Sequence, residues 1–215
     1  MKLVVFGANG PTGRLLVEDA LARGQTVRAV ARHPEGYPLH HERLEVVRAD
    51  VADGSSLTNT ISGCDSVASV VGASYSWKPI IVYSRGTRAI VSAMREVGCK
   101  RLAVVSSGLT YPPPTNAGFG FFFDKVIHPL LHNVIGRTLY ADMRAMEEFL
   151  HTQPEIEWTV MRPGRLVDGT TGQHYRKEPE TPSRRYTTRS DLAKAILDDL
   201  ESGADVHKAV AVTSR

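Results

Sequence analysis

Residues 2–13 read KLVVFGANGPTG, a β-branched run that passes without a break into three spaced glycines. Such a run followed at once by a glycine turn and an apolar-periodic stretch is a strand–turn–helix signature. The spacing is GxxGxxG, not the stricter GxGxxG, but the physical demands are the same. Gly7 makes the tight turn, Gly10 lets the backbone approach a pyrophosphate, and Gly13 lets the helix pack close to the strand. Pro11 is compatible with the first helical turn, whose N–H groups have no partner within the helix. Those free N–H groups and the positive end of the helix dipole favour an anion. The plainer alternative is a tight βα turn that holds no ligand.

Outward from this loop the chain alternates short β-branched strands with amphipathic stretches. Strands are expected at Lys2–Phe6, Thr26–Ala31, Leu44–Arg48, Ser66–Val71, Leu102–Ser106, Glu157–Arg162 and Lys208–Val212. Helices are expected at about Thr12–Arg23, Ser55–Ser62, Ser84–Val97, Asp124–His151 and Ser190–Glu201. Gly24 and Gly98 stand where left-handed caps are wanted, and Ser190 stands where an N-cap is wanted. This order predicts an α/β fold, a doubly wound Rossmann-type parallel sheet of about seven strands, in one domain over 1–215. The loops 110–124 and 164–188 would leave the carboxyl ends of strands, where ligands bind in such sheets, and would form a small substrate pocket.

Composition limits the partners. The chain has 215 residues, 42% apolar and 23% charged, with a formal charge of +3. Its Lys and Arg are spread with no basic run, so no nucleic-acid partner is expected. No apolar run approaches the roughly 18 residues that span a bilayer, and no leader pattern is visible, so no membrane partner and a cytoplasmic location are expected. Cys64 and Cys99 lie in neither a CxxC nor a metal-ligand spacing and read as buried or incidental thiols. His128 and His132 have i, i+4 spacing, but Pro129 lies between them and no further ligand follows, so no metal is expected.

The second strand ends Arg28-Ala-Val-Ala-Arg32-His-Pro34. An acidic residue there would bind ribose hydroxyls and repel a 2′-phosphate. Arg32 takes that place instead, about 19 residues past Gly13, and a guanidinium clamps phosphate with paired charge-assisted hydrogen bonds. NADP(H) is therefore the expected cofactor; the plainer reading is a solvated arginine. Asp50, after the third strand, could accept from an adenine amino group or cap the next helix, a role that suits Asp53 better.

With these motifs in view, the chain resembles the atypical short-chain dehydrogenase/reductases of the NmrA-like and flavin reductase/biliverdin reductase B type. The signposts are GANGPTG, AVAR, RADVAD, VVGAS, YSRGTRAIVSAMREVGCKRLAVVSSG, EWTVMRPGRLVDG and RSDLAKAIL, which span nearly the whole sequence. The resemblance implies that Gly7, Asn9, Gly10, Pro11, Thr12 and Gly13 line the pyrophosphate and Arg32 the 2′-phosphate. Asp50 and Val51 would meet the adenine, and Val71, Gly72 and Ala73 the middle of the cofactor. Ser106 and Ser107 would flank the nicotinamide ribose and substrate, and Arg162, Pro163 and Gly164 would pass beside the nicotinamide.

The departures bear on chemistry. The wider superfamily uses Tyr-x-x-x-Lys, in which the lysine lowers the tyrosine pKa; here the nearest match is Tyr140-Ala-Asp-Met-Arg144. Arginine does not replace lysine in that role. The register set by Glu147 and Leu150 also leaves Tyr140 off the family position, so a packing or rim role competes with a catalytic one. A histidine found near the Gly164 position in flavin-reductase-like members is absent. Ser107 is the first candidate for a polar contact to a small-molecule substrate; contact with the cofactor ribose alone is the alternative. The run Gly118–Asp124 (GFGFFFD) reads as an apolar lid over a flat substrate or as a satellite core. The apolar region 121–136 could serve a homodimer. Three functions follow: an NADPH-dependent reductase of a flat conjugated or carbonyl acceptor, an NADP(H)-sensing regulator, and, less well supported, a nucleotide-sugar epimerase or dehydratase.

Overall fold

The computed structural model describes residues 1–53, 57–111, 136–169 and 175–214. In chain order the strands are β1 (Lys2–Phe6), β2 (Thr26–Ala31), β3 (Leu44–Arg48), β4 (Ser66–Ser69), β5 (Arg101–Val105), β6 (Glu157–Pro163), β7 (Arg165–Val167), β8 (Tyr175–Pro179), β9 (Tyr186–Thr188) and β10 (Lys208–Ser214). The helices are α1 (Pro11–Ala22), α2 (Thr58–Ile61), α3 (Val82–Val97), α4 (Arg137–His151) and α5 (Arg189–Ser202).

Among the described residues the main sheet has eight strands in the order β3-β2-β1-β4-β5-β6-β10-β8. All neighbours pair in parallel except β8, which runs antiparallel to β10 from Val210↔Pro179 to Ser214↔Tyr175. Strand order reverses between β1 and β4, the topological switch point at which open α/β sheets bind their ligands. The strand period of two explains the double cover. Val4 and Phe6 pack with Ile90, Met94, Met146 and Leu150 of α3 and α4. Leu3 and Val5 face the other way, onto Leu16 and Val17 of α1 and Ile196 and Leu197 of α5.

Each of the seven expected strands forms, with shifts of one or two residues at several ends. The expectation of irregular chain after the sixth strand is corrected: β8 lies there, and β7 and β9 form a separate parallel pair. YRKEP has no apolar alternation, and its place in the sheet comes from β10. The helix N-cap is also corrected. Thr188, not Ser190, caps α5, its hydroxyl accepting from Asp191 N–H at 3.1 Å. Gly24 and Gly98 do adopt positive φ after their helices. The expected helix Asp124–His151 is seen from Arg137, and the stretches 118–124, 121–135, His128 and His132 lie outside the described residues.

One long-range cap matters for the site. No side chain of α3 itself caps its first turn. Buried Asp142 of α4 does so instead, accepting from Tyr83 N–H at 2.8 Å and Ser84 N–H at 3.3 Å. A carboxylate at a helix N-terminus is favoured by the dipole and by the unpartnered N–H groups. This contact locks α3 against α4 and thereby sets where the same turn of α4, with Tyr140, sits.

Candidate active site

The glycine loop is closed by backbone contacts that only glycine permits. Gly7 has φ of 79°, and a Cβ there would lie 2.8 Å from the Val70 carbonyl and from Val71 N. The loops leaving β1 and β4 therefore touch where the strand order reverses. At Gly13 a Cβ would stand 2.2 Å from Gly7 O, so α1 could not pack this close to β1 with any side chain. Gly10 differs: its Cβ would meet only Gly7 O, at 3.3 Å, and its other side is open. Arg14 steadies the loop by donating to Asn9 O at 3.1 Å and to Asn9 Oδ1 at 2.6 Å. From beneath, buried Tyr37 donates to Ala8 O at 3.3 Å, and burial pushes its hydroxyl pKa up to about 12.

α1 begins with Gly10 as N-cap, Pro11 next, no capping side chain and no acidic residue in its first turn. Its free N–H groups and dipole end at Thr12 and Gly13 are thus left for an anion. An open glycine face beside bare helical N–H groups fits a dinucleotide pyrophosphate.

Arg32 follows β2, is exposed, and makes no hydrogen bond or ion pair among the described residues. Arg48 is exposed at the end of β3, directly opposite Ala31 in the parallel register. A second exposed cation close to Arg32 had no signal in the sequence, because strand register decides it. Asp50 Oδ1 accepts from Ala52 N–H at 2.9 Å and closes a turn, so part of its acceptor capacity is already used locally. The Val51 side chain is buried against α3, where a Cβ on Gly86 would come within 2.8 Å of it. Val51 therefore has backbone, not side chain, to offer an adenine.

At the exit of β5 a cluster of hydroxyls assembles. Ser106 is buried, and its Oγ pairs with Thr110 Oγ1 at 2.9 Å. Ser107 Oγ accepts from Leu109 N–H at 3.2 Å and lies near enough to the Tyr140 hydroxyl to lower its pKa slightly. Tyr140 in turn shares a hydrogen bond of 2.9 Å with Tyr75, whose ring meets it edge-on. The Tyr140 ring is buried in the core, as a packing role requires, while its hydroxyl joins the cluster. Burial and then the bond to Tyr75 push its pKa well above the ordinary tyrosine range, so it stays protonated. Beside it, the loop of Val71, Gly72 and Ala73 is pinned by Ala73 N–H donating to the Tyr83 hydroxyl at 3.2 Å. Tyr75 had no signal in the sequence; with Trp77 it is an exposed aromatic on the segment after β4. That segment is tied to α4 by Thr138, which donates to Ser76 O at 2.9 Å.

Arg162 and Pro163 end β6 beside this cluster. The Arg162 guanidinium is committed to fully buried Glu147, with Nη2–Oε2 at 2.5 Å, and its face lies 4.6 Å from the Tyr111 ring. What Arg162 presents to a ligand is therefore mainly backbone. Pro163 O accepts from Gly108 N–H at 2.8 Å, which stitches the exits of β5 and β6 together. A cavity of about 520 Å³ behind Arg162 is lined by His151, Lys177 and His207 among others, and includes no residue of the glycine loop or the hydroxyl cluster. Among its charges, Arg162 is paired with Glu147, and Lys177 with Asp205 at 2.5 Å.

A Rossmann sheet with a phosphate-ready loop at its switch point defines a dinucleotide-binding protein. The family model for NAD(P)H-binding proteins matches residues 7–202, and the chain belongs to that family. Among relatives, an uncharacterized chloroplastic protein of Arabidopsis thaliana is 29% identical over the whole of this chain and 77% of its own length. Cinnamoyl-CoA reductase 1 of Oryza sativa is 37% identical, over 48% of this chain and 33% of that protein, so the chain spans about a third of that enzyme. Among solved structures, a short-chain dehydrogenase/reductase from Veillonella parvula in complex with NADP superposes with a TM-score of 0.78, at 18% identity over 99% of this chain and 94% of that one. An oxidoreductase from Lactococcus lactis superposes at 0.80, with 19% identity over 100% and 91% of the two chains. These structures share the fold.

Proposed function

We propose that the chain is an NADPH-dependent reductase that passes hydride to a flat conjugated or carbonyl acceptor such as a flavin or a quinone. The observation that carries this reading is the cluster Ser107–Tyr140–Tyr75 at the exit of β5, next to the loop that leaves β4. A bound nicotinamide supplies the hydride; the chain supplies proximity, orientation and hydrogen-bond donors. Tyr140 has no lysine to lower its pKa, and burial raises it. It therefore serves as a neutral donor to the acceptor's oxygen or nitrogen, not as a strong acid. An acceptor that takes hydride readily needs no more than that. Exposed Tyr75 and Trp77 add aromatic faces on which a flat ring system can stack. The preference for NADPH rests on Arg32, with Arg48 as its neighbour.

The same raised Tyr140 pKa favours a second reading, a regulator that binds NADP(H) without turnover. The two separate in one experiment: loss of nicotinamide absorbance is followed with FMN, FAD and small quinones as acceptors. For the reductase, at least one acceptor is turned over, and Tyr140→Phe or Ser107→Ala lowers kcat by about tenfold or more with NADPH affinity retained. Tight NADPH binding with no turnover across the panel would replace the reductase by the regulator.

A further inference from the structure

Cys64 and Cys99 are 35 positions apart in sequence, yet their Sγ atoms lie 3.2 Å apart. Strand register brings them together. β4 and β5 pair in parallel from Ser66↔Arg101, and each cysteine stands two residues ahead of that pair. Their backbones are anchored: Cys64 N–H donates to Ile61 O at 3.1 Å and Cys99 N–H to Met94 O at 3.0 Å. Both thiols are free. Cys99 is buried, whereas Cys64 is half-buried. The contact with Cys99 and then burial hold the Cys64 thiol well above the ordinary range, with Asp65 adding to this and Arg28 opposing it, while the same contact lowers Cys99, so Cys99 is the thiol that ionises more readily.

We propose that Cys64 and Cys99 are a redox-active pair that forms a reversible intrachain disulfide by exchange with a low-molecular-weight disulfide of the glutathione class. One protein thiolate attacks a sulfur of the external disulfide, and its S–S bond breaks to release one thiolate and leave a mixed disulfide. The second protein thiol, after losing its proton, attacks the protein sulfur of that mixed disulfide and expels the other external thiolate. The two cysteines are oxidised by two electrons, and the external disulfide is reduced to two thiols that take up the two protons. The sulfurs need approach by only about 1 Å to reach the bonded distance of roughly 2.05 Å. The bond staples the entry ends of β4 and β5. The glycine loop and hydroxyl cluster lie at the exit ends, so NADPH affinity is expected to be the same in both redox forms.

The test is intact-protein mass and thiol counting. The full chain is equilibrated with excess oxidised glutathione, quenched in acid and denatured with an alkylating agent. The proposal expects a mass lower by two hydrogens, no alkylated cysteine, full reversal by dithiothreitol, and at most a glutathione adduct in Cys64→Ser and Cys99→Ser. The oxidised form also melts higher, by about 5 °C or more, because the bond shortens the loop available to the unfolded chain. Two alkylated thiols after equilibration, or a wild-type protein that stops as a glutathione adduct, would overturn the proposal. A lower melting temperature on oxidation would show that the native register does not accommodate the bond, and would overturn the staple.

Discussion

Replacing Gly13 and Gly10 by alanine, one at a time, separates what the glycine loop does for the fold from what it does for a ligand. A Cβ at Gly13 would stand 2.2 Å from Gly7 O and 2.8 Å from Ala8 Cα, both backbone atoms with no side-chain rotamer to give way. Restoring an ordinary contact requires α1 and the loop to part by about 1 Å, an overpacking strain that costs roughly 1–3 kcal/mol. For a chain of this size that lowers the melting temperature by about 3–10 °C. At Gly10 the added Cβ meets one atom at 3.3 Å, with φ of −73°. The strain is small there, and the gain from restricting the unfolded chain, about 0.4–1 kcal/mol, works against it. Gly10→Ala is thus expected to melt within about 3 °C of the parent. On the proposed role of this loop its Cβ would take up the open face offered to the pyrophosphate, so NADPH affinity is expected to fall by about tenfold or more. Thermal denaturation and calorimetric titration with NADPH read the two effects separately. If Gly13→Ala melts like the parent, the packing argument fails. If Gly10→Ala binds NADPH like the parent, the loop is a turn and not a phosphate site.

Arg32→Glu is expected to lower NADPH affinity by about tenfold or more, with NADH affinity much less affected, since charge-assisted hydrogen bonds contribute roughly 1.5–3 kcal/mol; an unchanged cofactor preference on titration would remove Arg32 from the site. Glu147→Ala leaves the Arg162 guanidinium buried without its carboxylate and should cost about 3 kcal/mol or more in chemical denaturation, while Glu147→Met with Arg162→Met should recover much of it. A single variant as stable as the parent would show that the pair is not needed. Alkaline unfolding follows from Tyr37. The folded state holds this proton up to about pH 12, whereas the unfolded chain releases it near 10. The folded state therefore binds more protons between those values, so the contribution is complete below the unfolded pKa and is lost as pH rises through the folded one. Tyr37→Phe should flatten the fall of stability across that interval, and an unaltered slope would refute the assignment.

Legibility in the sequence follows range of contact. The three glycines, Pro11 and the strand ahead of them could be read because turn, cap and helix start all lie within a dozen consecutive residues. Arg32 was legible for a related reason: one strand and one helix set its distance from the loop. Tyr140 was legible only in part. The motif around it pointed to a lost lysine and to a packing role, but not to a hydroxyl bonded to Tyr75 and close to Ser107. Arg162 could be placed at the end of β6, yet its commitment to Glu147 was hidden, because that depends on how α4 packs against β6. Strand β8 left no trace, since a polar edge strand has no buried face to impose an apolar period.

The sequence by itself determined the alternation of strand and helix, the place of the phosphate loop and the cation that follows β2. Each depends on neighbours a few residues away, through hydrophobic period, glycine conformation and helix-end polarity. Tertiary structure alone decided the rest. The order β3-β2-β1-β4-β5-β6-β10-β8 put the loops after β1 and β4 in contact. The β4–β5 register brought Cys64 to Cys99, and the Asp142 cap held α4 where Tyr140 reaches Ser107. These pairings join residues tens of positions apart, and no local pattern encodes which long-range partner the packed core will select.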